Sequence, residues 1–247
     1  MDSPTLIVSF GGGVNSSAML VGMHERGVKP DAILFADTGG EKPETYSHIE
    51  KMGSWLAKHD MPPIITVTSP KTLEDDCLDR ETLPGKAFGF GSCSEHFKLR
   101  PQRRWIRENK IKDAMWLVGI HAGEKNRAMR VLNQRPDIQF PLIEWDWSQD
   151  DCLSALTRAG IDHPVKSACF FCPAMKKREI IELRDKHPDL LDRAIEMEQI
   201  AKEGGRLQTV KGLGRSYSWE TIIKADEAQL KLFADEPQPM CDTCVDW

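Results

Sequence analysis

Thr5-Leu6-Ile7-Val8-Ser9-Phe10-Gly11-Gly12-Gly13-Val14-Asn15-Ser16-Ser17 is a short apolar run that breaks at three glycines and resumes with small polar residues. A run of this length bounded by glycine suits a strand buried on both faces of a parallel sheet. Ala18, Met19, Leu20, Val21 and Met23 continue it as a helix from Ser16 to Arg26, ended by Gly27. Strand, glycine turn and helix start together make an anion site. Glycine lets the backbone approach a phosphate closely, while the free N–H groups and the dipole of the helix start attract it. Ser9, Gly11, Gly12, Gly13, Asn15, Ser16 and Ser17 are the expected cradle. The spacing is neither the Walker loop, for no Gly-Lys-Ser/Thr follows, nor the dinucleotide pattern, and a plain glycine-rich turn is the alternative at this point.

The same alternation continues outward. Ala32–Ala36, Ile64–Thr68 and Met115–Gly119 read as further strands, and Pro43 opens a helix with Ile49, Met52, Trp55 and Leu56 near helical spacing. Strands alternating with helices predict an α/β fold: a parallel sheet of about five strands with helices on both faces and right-handed crossovers. The glycine-containing stretch from Leu83 to Cys93 reads as a loop. Beyond Asp151 the pattern turns helical, at Cys152–Ala159, Lys176–His187, Pro188–Glu203 and Trp219–Phe233. The expected division is a nucleotide-binding α/β domain over 1–147 and a helical C-terminal region with Cys-x-x-Cys pairs over 148–247.

Composition bounds the setting. The 247 residues are 40% hydrophobic and 29% charged, as in soluble globular proteins. No run approaches the ~18 apolar residues of a membrane helix, and Met1 leads into a strand without a signal-peptide pattern. A cytoplasmic protein without membrane partners is expected. The net charge of −5 gives no general attraction to nucleic acid. Locally, however, Lys98 to Lys112 holds seven basic residues opposed by Glu108 alone. A helix starting at Pro101 would align Arg100, Arg103, Arg104 and Arg107 on one face, suited to a nucleotide or to a polynucleotide backbone, and would turn Trp105 and Ile106 to the core. A solvated surface is the bland reading of the same row.

Several motifs in chain order carry a family resemblance. Gly12-Gly13-Val14-Asn15-Ser16 resembles the Ser-Gly-Gly-x-Asp-Ser loop of the PP-loop ATP pyrophosphatase superfamily, with Asn15 in place of Asp and Gly11 in place of Ser. Phe35-Ala-Asp-Thr-Gly39 with Pro43-Glu44-Thr45-Tyr46 is similar to the Asp-Thr-Gly…Pro-Glu-Thr segment of the phosphoadenosine phosphosulfate (PAPS) reductase family. Cys93…Lys98-Leu-Arg-Pro101, Gly119-Ile-His-Ala-Gly-Glu124-Lys-Asn-Arg127, Pro141-Leu…Trp145 and Cys169-Phe-Phe-Cys172-Pro173 extend the likeness to about residue 200. The resemblance implies an adenine nucleotide over Gly11–Ser17, with Asp37, Thr38, Gly119 and Arg127 also at the nucleotide, and Lys98, Asp37 and Cys93 as catalytic residues. ATP, or PAPS, would be the substrate, with Mg²⁺.

Seven cysteines suit metal binding, redox chemistry or burial rather than disulfides. The spacing of Cys169 and Cys172 lets two thiolates reach one ion. With Cys93 they resemble the three-cysteine [4Fe–4S] arrangement of sulfur-transferring PP-loop enzymes. Zn²⁺ held with Cys241 and Cys244, or no metal, are the alternatives; Cys77 and Cys152 are expected to be inert core residues.

Three functions follow. One is ATP-dependent adenylylation coupled to sulfur transfer onto a nucleobase or other small acceptor, with a sulfur donor as partner. The second is a sulfonucleotide reductase using a thiol such as Cys241 or Cys244 and a thioredoxin-like reductant. The third is a non-catalytic nucleotide or nucleic-acid binding module.

Overall fold

The computed structural model describes residues 3–132, 135 and 137–234. Cys241 and Cys244 lie outside the described residues. In chain order the elements are β1 (Thr5–Phe10), α1 (Val14–Glu25), β2 (Ala32–Asp37), α2 (Pro43–Lys58), β3 (Ile64–Thr68), α3 (Leu73–Asp79), α4 (Ser92–Ser94), α5 (Arg100–Glu108), β4 (Ala114–Val118), α6 (Lys125–Leu132), β5 (Ile138–Gln139), α7 (Pro141–Glu144), α8 (Gln149–Arg158), α9 (Lys177–Lys186), α10 (Pro188–Glu203) and α11 (Trp219–Ala234).

The sheet is parallel throughout, in the order β3-β2-β1-β4-β5. Successive side chains of a strand point to opposite faces, and β1 feeds two cores accordingly. Val8 and Phe10 pack with Met19, Leu20 and Met23 of α1, with Met52 and Leu56 of α2, and with Cys152, Ala155 and Leu156 of α8. Ile7 faces the other way, with Leu34, Trp116 and Ile138, against Trp105 and Ile106 of α5 and Ala128 of α6. Helices therefore cover both faces, as the uninterrupted apolar strands require. Gly22 lets α1 approach its neighbours: a Cβ there would stand 2.5 Å from the Trp145 ring.

The chain divides into two units, residues 1–76 with 91–170, and residues 77–90 with 171–247. Helix α8, which the sequence pattern assigns to the helical C-terminal region, packs in the same core as α1. Its start is fixed by a capping box: Ser148 Oγ accepts from Asp151 N, and the Asp151 carboxylate accepts from Ser148 N. The second unit comprises α9, α10 and α11 with a 3₁₀ turn at Gly85–Phe88.

One stretch differs from the loop expected over Leu83–Cys93. Helical structure begins at Ser92, passes through a π turn at Glu95–Leu99 and enters α5 at Arg100. Pro101 sits in the first turn of α5, where its missing N–H costs nothing. The widened turn before it accommodates the ring, which would clash with a regular preceding turn.

Candidate active site at the carboxyl ends of the strands

Strand order reverses between β1 and β4, and at such a switch point the ends of adjacent strands splay to leave a crevice. An open cleft of about 610 Å³ lies there, within the first unit. Ser9, Phe10 and Gly11 from the end of β1 line it, together with Phe35 and Ala36, Val118 and Ile120, and Phe140. Its cations are Lys98, Arg103, Arg127 and Arg135, with Glu95 among them.

The glycine loop forms one wall. Gly12 has φ +70°, the left-handed region where L side chains are strained. Gly13 caps α1 without any side-chain bond, so the helix start offers backbone N–H groups. Gly11 N donates to Ser16 Oγ at 3.2 Å, and Ser16 Oγ donates to Gly13 O at 3.2 Å, which closes the loop on itself. Ser17 Oγ is fully buried and bonds His48 Nε2 of α2 at 2.8 Å. Burial, with a smaller effect of Lys51, pushes the His48 pKa below its ordinary 6.5, while Asp162 opposes the shift. Thr45 lies under the same loop, its methyl 3.0 Å from where a Gly12 Cβ would stand. Ser167 Oγ donates to Gly11 O from above. Gly119 ends β4 directly against the helix start, where a Cβ would meet Ser16 N at 2.8 Å and Asn15 C at 2.9 Å. Asn15 Oδ1 is buried and lacks a hydrogen-bond partner.

Past β2, Asp37 Oδ1 accepts from Gly39 N at 2.8 Å and from Tyr46 OH at 2.9 Å, shaping the turn into α2. Burial, and then that bond to Asp37, raise the Tyr46 pKa. Thr38 is buried, and its Oγ1 lies 3.1 Å from Cys169 Sγ. Phe170 N donates to Gly40 O at 2.7 Å, and Glu41 bridges Cys169 as an antiparallel pair, so the Cys169 segment is zipped to this turn. The buried Glu41 carboxylate accepts from Lys98 Nζ at 3.2 Å.

The other cations are also held by carboxylates. Arg103 reaches Glu95 at 2.7 Å and Arg127 reaches Glu124 at 2.9 Å. Arg135 grips Asp137 through two bonds of 2.8 and 2.6 Å, and this hydrogen bonding lowers the Asp137 pKa and raises that of Arg135. Gln102, almost fully buried, ties α5 to the strand end by donating to Ser9 Oγ at 3.1 Å.

Of the residues singled out in the sequence, Ser9, Gly11, Lys98, Arg103 and Arg127 line the cleft together. Gly12, Gly13, Asn15, Ser16, Ser17 and Gly119 build the loop beside it. Asp37 and Thr38 hold the neighbouring turn. Arg104 donates to Thr68 O at the end of β3, and Arg100 and Arg107 are exposed. Cys93 is half-buried in α4, next to the cleft residues Ser94 and Glu95. Cys77 and Cys152 are buried core residues, and burial pushes the Cys152 thiol up to about 11. Among the described residues, no three His, Cys, Asp or Glu side chains gather to hold a metal ion. Glu41, Gln102, Arg135 and Ser167 join the site without having stood out in the sequence; Glu41, Gln102 and Ser167 are placed by contacts remote along the chain, and Arg135 by its pair with Asp137.

The pattern of the phosphoadenosine phosphosulfate reductase domain matches residues 5–164. An uncharacterized protein of Methanocaldococcus jannaschii is 26% identical over 203 residues, 76% of this chain; the chain spans 40% of that relative's length. Among solved structures, similar chains include a phosphoadenylyl-sulfate reductase from Candida auris in a phosphate complex. It is 17% identical, the match covers 66% of this chain and 76% of that one, and the TM-score is 0.43. A U34-tRNA thiolase from Methanococcus maripaludis, solved with its [4Fe–4S] cluster, is 13% identical, with 100% of this chain and 77% of that chain covered and a TM-score of 0.45. No helix among the described residues is long and apolar enough to cross a membrane.

Proposed function

Because that domain pattern covers well over half of the sequence, the chain belongs to the phosphoadenosine phosphosulfate reductase domain family, and from this premise we propose that it binds ATP in the cleft and activates an acceptor for sulfur transfer. The observation that carries the reading is the Gly11–Ser17 loop, which opens α1 at the wall of a cleft lined by Lys98, Arg103, Arg127 and Arg135. Backbone N–H groups at the helix start would hold the phosphates, and the four cations would balance charge building up on the pyrophosphate. Asn15 Oδ1, a buried neutral oxygen without a partner, fits a Mg²⁺ ion carried by the triphosphate. An acceptor oxygen attacks the α-phosphorus, the bond to the bridging oxygen breaks and pyrophosphate leaves. A sulfur nucleophile from an external donor then attacks the activated carbon, and AMP departs with the acceptor's oxygen.

A second reading, sulfonucleotide reduction, is favoured by the family itself. There a thiolate attacks the sulfonate sulfur of PAPS, the sulfur–oxygen bond to phosphate breaks, and an external dithiol displaces sulfite. One pair of assays separates the two. AMP and pyrophosphate formed from ATP in the presence of a nucleobase-containing acceptor support the first reading; sulfite from PAPS with a thioredoxin-like reductant supports the second and overturns the first. Nucleotide binding without either product leaves a binding module.

A further inference from the structure

The second unit holds both paired and unpaired cations. Arg178 pairs with Glu182, Arg184 with Asp185 and Asp226, and Lys224 with Glu220. In the second unit, Lys86, Lys211 and Arg215 are exposed and make no ion pair among the described residues. Lys211 and Arg215 are brought together by a tightly wound loop between α10 and α11. Lys211 N donates to Arg215 O at 2.6 Å, Arg215 N donates to Gly212 O at 2.9 Å, and Arg215 adopts φ +65°. Such a conformation in a non-glycine residue persists only where its surroundings impose it. Here the anchor is Glu198, a buried carboxylate that accepts from Leu213 N at 2.6 Å and from Trp219 N at 2.9 Å.

Two aromatic rings flank these cations. The Arg215 guanidinium lies against Gly89, 3.2 Å from where a Cβ would stand, and the next residue, Phe90, is 67% exposed. Phe90 N and Gly89 N are held by Gly85 O and Lys86 O, which fixes Phe90 beside Lys86. In the loop before α11 the Tyr217 ring packs on Gly214, and Lys177 Nζ stands 5.4 Å from its centroid. Leaving a phenylalanine in water is unfavourable, and Lys86 and Arg215 near it make no ion pair among the described residues that would account for their placement.

We propose that this face of the second unit binds single-stranded nucleic acid, with Phe90 and Tyr217 stacking on bases and Lys86, Lys177, Lys211 and Arg215 contacting phosphates. Exposed aromatics interleaved with cations are the means by which proteins hold unpaired strands without reading their sequence. The proposal stands apart from ATP binding, because the two bind different surfaces and are measured separately.

The test is fluorescence anisotropy of the full chain with a labelled 20-nucleotide RNA, the corresponding DNA strand and the matching duplex, across a salt series. Wild type is expected to bind both single strands more tightly than the duplex, more weakly as salt rises. Phe90→Ala should weaken single-strand binding roughly tenfold with the salt slope kept. The triple change Lys86→Ala, Lys211→Ala, Arg215→Ala should weaken it and flatten the slope by about two. ATP affinity and circular dichroism should stay as in wild type, which shows that the variants are folded. Absence of single-strand binding by wild type would overturn the proposal. So would variants that bind as wild type while Arg100→Ala with Arg107→Ala abolishes binding, since the strand would then lie on α5.

Discussion

Gly119→Ala probes how the sheet positions the phosphate loop. The added methyl would stand 2.8 Å from Ser16 N and 2.9 Å from both Asn15 C and Ser16 Cα. All three are backbone atoms, so no side chain can swing away. Reaching the ~3.5 Å of ordinary contact requires the α1 start or the end of β4 to move by about 0.6 Å. Overpacking of this kind costs about 1–3 kcal/mol, which at roughly 2–4 °C per kcal/mol for a chain of this size lowers Tm by about 2–12 °C. The same movement misaligns N–H donors, and losing one bond to a charged phosphate, worth about 1.5–3 kcal/mol, weakens ATP binding roughly 10- to 100-fold. Gly11→Ala is the companion variant. Its Cβ would meet only Ser16 Oγ, at 3.9 Å, on the exposed cleft side. It should leave Tm within about 1 °C of wild type, as surface changes do, yet hinder the phosphates. Calorimetric titration with a non-hydrolysable ATP analogue, paired with thermal melts, reads both effects. A Gly119→Ala protein that binds the analogue as wild type would refute the claim that β4 sets the loop's position.

Other outcomes follow from single contacts. The folded-state pKa of His48 lies below 6.5, so as pH falls through that value the unfolded chain takes up the proton first; the stability from neutral His48 is present above pH 6.5 and lost on acidification. His48→Gln, which can still bond Ser17, should flatten the fall in Tm between pH 7 and 5, and an unchanged slope would count against this role. Gly53 is inside α2 with open space where its Cβ would be, so Gly53→Ala should stabilise by about 0.5–1 kcal/mol in urea melts; destabilisation would show that the space is not open. With its thiol pushed up to about 11 and its side chain in the core, Cys152 should resist iodoacetamide at pH 8 while half-buried Cys93 is modified, as peptide mass spectrometry would show.

Much of the fold was readable because it rests on local pattern. The run Thr5–Ser17 announced strand, turn and helix, and the apolar strands announced a sheet covered on both faces. Strand β5 escaped detection, since two residues, Ile138 and Gln139, carry no periodicity. The helical run through Ser92–Leu99 was hidden by the glycines before it and by a π turn whose period matches no amphipathic template. At the site, Lys98, Arg103 and Arg127 stood out by motif or charge. Arg135 and Gln102 did not, because their importance comes from the folded cleft: Arg135 lines it together with Ile138 and Val118, and Gln102 reaches Ser9. The arginine row on α5 was legible as one helix face, yet only tertiary contacts divide it into Arg103 at the cleft, Arg104 on Thr68 and the exposed Arg100 and Arg107.

The central claim is that a nucleotide's phosphates rest on Gly11–Ser17 while the remainder occupies the cleft. A crystal structure with a non-hydrolysable ATP analogue and Mg²⁺ tests it most directly. Phosphate oxygens should lie within hydrogen-bond distance of the backbone N–H groups of Gly12–Ser16, with Mg²⁺ near Asn15 Oδ1 and Lys98 or Arg103 turned from its carboxylate toward the phosphates. A nucleotide bound elsewhere, or one whose phosphates leave the loop untouched, would contradict it.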